Sequence, residues 1–241
     1  MKTIQVISQL LSYPSAALQA EADALKEILT TEQALSPTRT KALCSFIDSI
    51  CQDDLLDVQE GYVTLFDRSR ALSLNLFEHI HGESRDRGQS MVDLKDRYLE
   101  AGLVLDGIEL PDYLPVFLEF LSTLSPKEAR KMLLEPLHII AAIRTRLLER
   151  KNTYAELFLA LEDLAGASVP AEKVDVILKG KPDIDPNDQA ALDAAWEEQE
   201  VRFGPDSDPN AGECPKMKSI LETMNRDIKP GQPNPGSENI G

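Results

Sequence analysis

Apolar residues recur at three- and four-residue intervals along most of this chain, and that interval is the spacing of an α-helix. One such stripe contains Leu43, Phe46, Ile47 and Ile50, and similar stripes precede and follow it. No segment alternates between apolar and polar residues for long enough to make a useful strand, so the pattern disfavours a sheet. The sequence therefore predicts an all-α fold.

Proline and capping residues mark where several helices should begin. Pro37 stands at an expected helix start, and the run Ser125–Glu128 has the N-cap serine, first-turn proline and acidic N3 residue of a capping box. The run Asp185–Asp188 repeats this arrangement ahead of a last amphipathic helix, which should end at Gly204. These signals predict a single globular helical domain over residues 1–203.

The composition changes after residue 203. Six prolines and five glycines fall among the last 38 residues, which contain few large apolar side chains. Such a segment cannot bury enough surface to offset the entropy lost on ordering. Residues 204–241 are therefore predicted to form a Pro/Gly-rich, mostly disordered tail.

The net charge of −16 restricts the partners that the chain can bind. A nucleic acid would be repelled, whereas a basic peptide would be attracted. No segment is apolar for long enough to cross a bilayer, and the amino terminus has helical spacing, unlike the continuous apolar run of a signal peptide. We therefore expect a cytoplasmic protein that does not insert into the membrane.

Cysteine usage agrees with a reducing compartment. The chain has three cysteines, Cys44, Cys51 and Cys214, and none of them forms a CxxC pair. Cys44 and Cys51 are one heptad apart on an expected helix, which separates their α-carbons by roughly 10 Å. A disulfide cannot span that distance. Buried, unreactive thiols are the expected state.

Residues 112–124 form a segment that is apolar around almost its whole circumference. Asp112 is expected to be the N-cap of this helix, with Pro115 in the first turn, where its missing N–H costs nothing. A helix that is apolar on every side belongs in the core of a bundle or on the floor of a groove that takes a partner. Both interpretations stay open from the sequence.

The sequence contains no recognisable catalytic motif, phosphate-binding loop or nucleophile elbow. His79 and His81 lie two residues apart, so on a helix their side chains point away from each other and cannot share a metal ion. We assign no catalytic residue and no metal ligand, and packing or helix capping is the preferred role of both histidines. A helical metal hydrolase built around them is kept as an alternative.

A block of alternating charges runs from Asp67 to Arg87. It contains four arginines and four acids, and is therefore neutral within an acidic protein. Arginine pairs with carboxylates through a planar fork, which suits either a network that joins helix ends or the polar rim of a docking groove. The sequence leaves both interpretations open.

Several runs closely resemble the NarJ-type chaperones of respiratory nitrate reductase, within the wider TorD-like family of redox-enzyme maturation chaperones. The similarity extends over about residues 4–203. The runs that carry it are Leu11–Pro14, Leu65–Arg68, Leu76–His79, His81–Gln89, Met91–Leu94, Glu109–Pro115 and Ala191–Glu198.

The resemblance implies a fold, a function and partners. Members of this family are all-helical and bind the apo catalytic (alpha) subunit of nitrate reductase in the cytoplasm, mainly at its amino-terminal peptide. They keep it competent for insertion of the molybdenum cofactor and iron–sulfur clusters before it docks at the membrane, and need no cofactor themselves. Proteins of molybdenum cofactor biosynthesis are a further partner that the resemblance allows. A permanent scaffold subunit of the complex is the main alternative.

The resemblance also suggests where the partner binds. The wider family carries a Glu-x-Pro-Asp-His pattern, which residues 109–113 match except that Tyr113 replaces the histidine. A role that needs a titrating imidazole is therefore not expected, whereas a hydrogen bond could be made by the phenol. The candidate partner-binding residues are the rim acids Glu109 and Asp112, the motif residues Pro111 and Tyr113, the groove-lining Leu114, Phe117 and Leu118, and the groove-shaping Arg70, Arg85 and Arg87.

Overall fold

The computed structural model describes residues 1–81, 85–105, 109–180, 183, 184, 188, 190 and 191, with residues 81, 85 and 86 described by their backbone alone. Every regular element in these residues is helical, which confirms the all-α prediction. The expected helix end at Gly204, the domain boundary after residue 203, the disorder of residues 204–241 and the environment of Cys214 lie outside the described residues and stay predictions.

Twelve α-helices lie in the described ranges. They are α1 (Lys2–Leu11), α2 (Ala16–Ala20), α3 (Ala22–Glu32), α4 (Pro37–Gln52), α5 (Leu55–Tyr62), α6 (Glu78–His81), α7 (Arg85–Glu100), α8 (Leu114–Thr123), α9 (Pro126–Leu133), α10 (Leu137–Glu149), α11 (Ala155–Ala165) and α12 (Ala171–Gly180). A π-helical turn (Val63–Asp67) extends α5, and a 3-10 turn (Arg70–Leu72) follows it. No helix in these ranges has the length and apolar character that a membrane crossing requires.

Local sequence signals determine several helix ends. Ser36 caps α4 through its side chain, with Pro37 in the first turn, as the sequence predicts. The capping box at α9 is complete, because the Ser125 hydroxyl accepts from the Glu128 N–H and the Glu128 carboxylate accepts from the Ser125 N–H at 3.3 Å. Gly102, which follows α7, has a φ of +82°, a value that side chains disfavour.

The core lies around α10 and α11, which pack side by side. α4 and α9 contact α11, while α12 contacts α10. The stripe on α4 predicted from helical spacing is buried in this core, with Leu43, Phe46, Ile47 and Ile50 all at most 7% exposed. The i, i+3, i+4, i+7 pattern therefore identified the correct face of this helix.

α8 lies in the interior, with α1 packed along it. The Ser8 hydroxyl of α1 donates to the Pro115 carbonyl at 2.7 Å. Pro115 is in the first turn of α8, as predicted. Seven of the ten residues of this helix are buried, which agrees with the core interpretation of its apolar sequence.

α12 is attached to α10 by a small apolar contact and by arginines. Val174 and Ile177 pack on Ala141 and Ala142. Arg146 of α10, which is only 2% exposed, donates to the Leu178 carbonyl at 3.2 Å and to the Ala71 carbonyl at 2.6 Å. One buried guanidinium thus connects α12 to Ala71, within the charged block.

Candidate partner-binding site

The charged block and the start of α8 meet through main-chain hydrogen bonds. An isolated antiparallel bridge joins Asn75 to Tyr113. Its two hydrogen bonds measure 2.9 and 2.8 Å and run from the Leu76 N–H to the Asp112 carbonyl and from the Leu114 N–H to the Leu74 carbonyl. Asn75 therefore pairs with Tyr113 between the 3-10 turn and α6, although the leucine-rich sequence there has helical character, and this bridge fixes the motif at residues 109–113.

Asp112 has a different role from the one predicted. Tyr113 occupies the N-cap position of α8 and makes no side-chain capping bond. The Asp112 side chain is fully buried, and its Oδ2 accepts a hydrogen bond from the Phe77 N–H at 3.0 Å. The N-cap prediction was wrong because the turn that follows Asn75 offers Asp112 a main-chain donor, the Phe77 N–H. Burial raises the pKa of this carboxyl, although the Phe77 N–H and the charge of Arg87 act in the opposite direction.

The charges of the block converge on Asp112. Arg87 Nη2 of α7 lies 3.4 Å from Glu78 Oε1 of α6, and both side chains are mostly buried. Arg87 and Glu78 both contribute to the electrostatic environment of the Asp112 carboxyl. This arrangement agrees with the interpretation of the block as a network that joins helix ends.

His79 has a structural contact in the same region. It is 9% exposed, and its Nε2 lies 2.8 Å from the Ser73 carbonyl. Because a carbonyl can only accept, Nε2 carries the proton and is not available to a metal ion. Within the described part of the chain, no group of three histidine, cysteine or acidic residues could hold a metal. The side chain of His81 lies outside the described residues.

Two tyrosines that are distant in sequence form a hydroxyl chain beside the bridge. The Tyr113 and Tyr62 hydroxyl oxygens are 2.8 Å apart, and the Tyr62 hydroxyl donates to the Leu11 carbonyl at 2.8 Å. Tyr62 has one hydroxyl proton, which the Leu11 carbonyl receives, so Tyr113 must donate to Tyr62. The Tyr113 oxygen therefore keeps lone pairs that can accept from another group.

Aromatic rings surround this hydroxyl chain. Phe66 and Tyr154 pack on Tyr62 in the core, and Phe46 packs on Tyr154, with edge-to-face or tilted geometry. Tyr13 packs on Tyr62, with a ring-centroid distance of 5.7 Å and an interplanar angle of 87°. Tyr13 is 52% exposed and Tyr113 is half-buried. We call Tyr13 and Tyr113, together with the buried Tyr62 that contacts both of them, the tyrosine surface.

Two carboxylates give the tyrosine surface a negative potential. The pKa of Tyr113 is raised, chiefly by burial and also by the charges of Glu109 and Asp67. Both acids are exposed. The region thus combines a partly exposed aromatic surface with nearby negative charge, which suits a partner that has both apolar and basic side chains.

Comparison with known proteins identifies the family of this chain. Residues 15–160 match the family described as nitrate reductase delta subunit. The chain belongs to this family. It is 43% identical over 204 residues to the nitrate reductase molybdenum cofactor assembly chaperone NarJ of Escherichia coli strain K12, covering 84% of this chain and 85% of the relative.

Two further relatives extend the comparison within the delta subunit family. The probable nitrate reductase molybdenum cofactor assembly chaperone NarW of Escherichia coli strain K12 is 38% identical over 231 residues, which is 95% of each chain. The probable chaperone of the same description, NarJ of Bacillus subtilis strain 168, is 31% identical over 159 residues, covering 66% of this chain and 85% of that relative.

The predicted site residues of this delta subunit family member differ in their exposure to solvent and in their contacts. Glu109 is exposed, whereas Pro111 is buried and its carbonyl accepts from the Tyr98 hydroxyl at 2.8 Å. Arg70 is half-buried in the 3-10 turn, and Arg87 faces Glu78. The backbone of Arg85 lies in α7, but its side chain is outside the described residues.

The three predicted groove-lining residues lie in the core. Leu114 and Leu118 are fully buried, and Phe117 is 4% exposed. A partner could contact them only after displacing the side chains that cover them. Their assignment to a binding groove stays a prediction, and the tyrosine surface is an accessible aromatic surface that includes the motif residue Tyr113.

Sequence reasoning did not select Tyr13, Tyr62, Asp67 or Tyr154 as site residues. Tyr13 and Asp67 lie in the runs Leu11–Pro14 and Leu65–Arg68, which carry the family resemblance, so the sequence did contain a signal for these two residues. The proximity of Tyr62 to Tyr113 could not be inferred, because the two residues are 51 positions apart and meet only through tertiary packing.

Proposed function

We propose that this protein is a cytoplasmic assembly chaperone of nitrate reductase that binds the amino-terminal peptide of the catalytic subunit. The observation that carries the proposal is the 43% identity to a nitrate reductase molybdenum cofactor assembly chaperone over 84% of this chain. An assembly chaperone acts by binding its client, so it requires no catalytic group. The molybdenum cofactor and the iron–sulfur clusters belong to the client.

We propose the tyrosine surface as the contact site for the peptide. Tyr13 is 52% exposed, so a partner can cover its ring without unfolding the domain. Tyrosine offers a large apolar face together with a polar hydroxyl, a combination that recurs in the central contacts of protein interfaces. An amphipathic peptide helix could lay its apolar side on these rings.

The negative charge near the tyrosine surface favours a basic peptide. Asp67 and Glu109 are exposed beside Tyr113, within a chain whose net charge is −16. Such a field accelerates encounter with a cationic segment, and dissolved salt screens it. The association rate with a basic peptide should therefore fall as the salt concentration is raised, while apolar contacts keep the dissociation rate nearly constant.

The alternatives make different demands on the protein. A permanent scaffold subunit would remain in the finished enzyme, whereas a chaperone leaves before or during membrane docking. A metal hydrolase needs an open ligand set, but His79 Nε2 donates to the Ser73 carbonyl. The family assignment favours the chaperone over both alternatives.

Isothermal titration calorimetry tests the proposed contact. The titrant is a synthetic peptide with the amino-terminal sequence of the nitrate reductase catalytic subunit from the same organism. Replacing a central aromatic contact by alanine commonly weakens binding by about tenfold or more, which is the result expected for Tyr13→Ala and Tyr113→Ala.

The matched control is Val176→Ala on α12. Val176 is 65% exposed and is not part of the tyrosine surface, so its truncation should leave the affinity unchanged. Circular dichroism shows whether each variant is folded. Wild-type affinity in both folded tyrosine variants would exclude the tyrosine surface as the contact, and failure of the wild-type protein to bind the peptide would exclude the proposed function.

A further inference from the structure

The Tyr154 side chain is buried, but its hydroxyl has no hydrogen-bond partner among the described residues. Tyr154 is 7% exposed, and its hydroxyl oxygen is shielded from solvent. A hydroxyl that loses water on folding and gains no partner is unfavourable, so native proteins rarely keep one without a reason. This hydroxyl therefore requires an explanation.

The other buried or half-buried tyrosines satisfy their hydroxyls. Tyr98 donates to the Pro111 carbonyl, Tyr62 donates to the Leu11 carbonyl, and Tyr113 contacts Tyr62, each at 2.8 Å. Tyr154 thus differs from the three tyrosines that surround or support the partner-binding motif.

The position of the Tyr154 ring is fixed by its surroundings. Its N–H donates to the Asn152 side chain at 2.9 Å, which holds the backbone at the start of α11. The ring centroid lies 4.9 Å from that of Phe46 and 5.1 Å from that of Phe66, both with edge-to-face geometry. Rings packed in this way fix the orientation of the Tyr154 ring and thus the position of its hydroxyl.

The Tyr154 hydroxyl belongs to the same region as the tyrosine surface. The Tyr154 ring centroid is 6.3 Å from that of Tyr62, whose hydroxyl contacts Tyr113. The residue with the unpartnered donor therefore packs against Tyr62, which joins the two more exposed tyrosines of the surface proposed to bind the peptide.

We propose that the Tyr154 hydroxyl is a hydrogen-bond donor for the bound client peptide and donates to one of its main-chain carbonyl oxygens. This inference rests on the proposed function and adds a residue to that site. The hydroxyl is shielded in the free protein, so binding must displace a side chain that covers it. Tyr113 is half-buried and is bonded to Tyr62, which packs on Tyr154, so Tyr113 is the proposed entry point.

The chemistry of the site selects a neutral acceptor. A carboxylate of the partner would be repelled by Asp67 and Glu109, whose charges act on Tyr113. Lysine and arginine side chains have no acceptor to receive the Tyr154 proton. A peptide carbonyl is neutral, is present in every client segment and gains most from a donor in an apolar setting.

Tyr154→Phe tests the inference because it removes only the hydroxyl. If the hydroxyl is unsatisfied in the free protein, the variant should have a higher Tm than the wild type. If the same hydroxyl donates to the peptide, calorimetric titration with the synthetic client peptide should show binding weakened by about three- to tenfold. A purely structural residue would not combine higher stability with weaker binding.

Tyr98→Phe is the matched control for stability. It removes a hydroxyl that is bonded to the Pro111 carbonyl, so its Tm should fall. A lower Tm in Tyr154→Phe would show that the hydroxyl already has a partner in the free protein, and an unchanged peptide affinity would show that the peptide does not use it. Either result would overturn the inference. The proposed function would remain, because it depends only on binding of the peptide by the wild-type protein.

Discussion

The carboxylate of Asp112 accepts a hydrogen bond from the main-chain N–H of Phe77 at a distance of 3.0 Å. Together with the bridge between Asn75 and Tyr113, this bond connects the charged block to the first turn of α8. Because Asp112 is fully buried, its side chain stabilises the site from within, and its contact with a partner stays a prediction.

Asp112→Ala should lower the free energy of unfolding by about 2–3 kcal/mol, because it leaves the Phe77 N–H without its acceptor in a buried position. Asp112→Asn retains an acceptor oxygen and should lose less than half as much. Urea denaturation of both variants measures the difference. Equal stability of Asp112→Ala and the wild type would show that the bond to Phe77 contributes nothing.

Arg146 should control the attachment of α12. Arg146→Met keeps the length of the side chain but leaves the carbonyls of Ala71 and Leu178 without their donor, which should cost about 2–3 kcal/mol. Amide hydrogen exchange should accelerate across residues 171–180 before the rest of the domain is affected.

Arg150→Met, at the C-cap of α10, is the control. Arg150 pairs with Asp183 in a more exposed position, so its loss should cost about 1 kcal/mol or less. Unchanged exchange in α12 after Arg146→Met would mean that the apolar contact with Ala141 and Ala142 holds this helix by itself.

Glu135 should make stability depend on pH near neutrality. Burial raises its pKa from 4.5 to about 7, although Arg97 and Lys131 act in the opposite direction. A carboxyl whose pKa is higher in the folded state than in the unfolded state adds to stability while the carboxyl is protonated. This contribution is complete below about pH 4.5 and is lost as the pH rises through about 7.

Glu135→Gln removes this ionisation. The variant should match the wild type at acidic pH and exceed it by about 1–2 kcal/mol above pH 7, after allowance for solvent screening of a partly exposed group. Chemical denaturation of both proteins across this pH range gives the difference. A constant difference at every pH would contradict the raised pKa.

Local signals were sufficient to predict much of the fold. The stripe on α4 and the capping box at Ser125 and Glu128 involve residues within one or two helical turns, so their spacing along the chain determines their geometry. The apolar circumference of α8 likewise indicated burial, which Leu114 and Leu118 confirm.

The candidate site depends on contacts that sequence spacing does not encode. Asp112 had the correct residue type for an N-cap, but its carboxylate bonds to Phe77, 35 positions away. The hydroxyl chain joins Tyr113 to Tyr62 and then to Leu11 across two separate intervals of 51 positions. A family resemblance identified the motif, but only tertiary packing shows which of its residues face solvent.

The most direct test of the chaperone function is affinity capture from anaerobically grown cells that lack the molybdenum cofactor. With this protein as bait, the apo catalytic subunit of nitrate reductase should be retained, and retention should be much weaker from cells that make the cofactor. The mature membrane enzyme, purified separately, should not contain this protein. Failure to retain the apo subunit, or a stoichiometric amount of this protein in the mature enzyme, would contradict its function as an assembly chaperone.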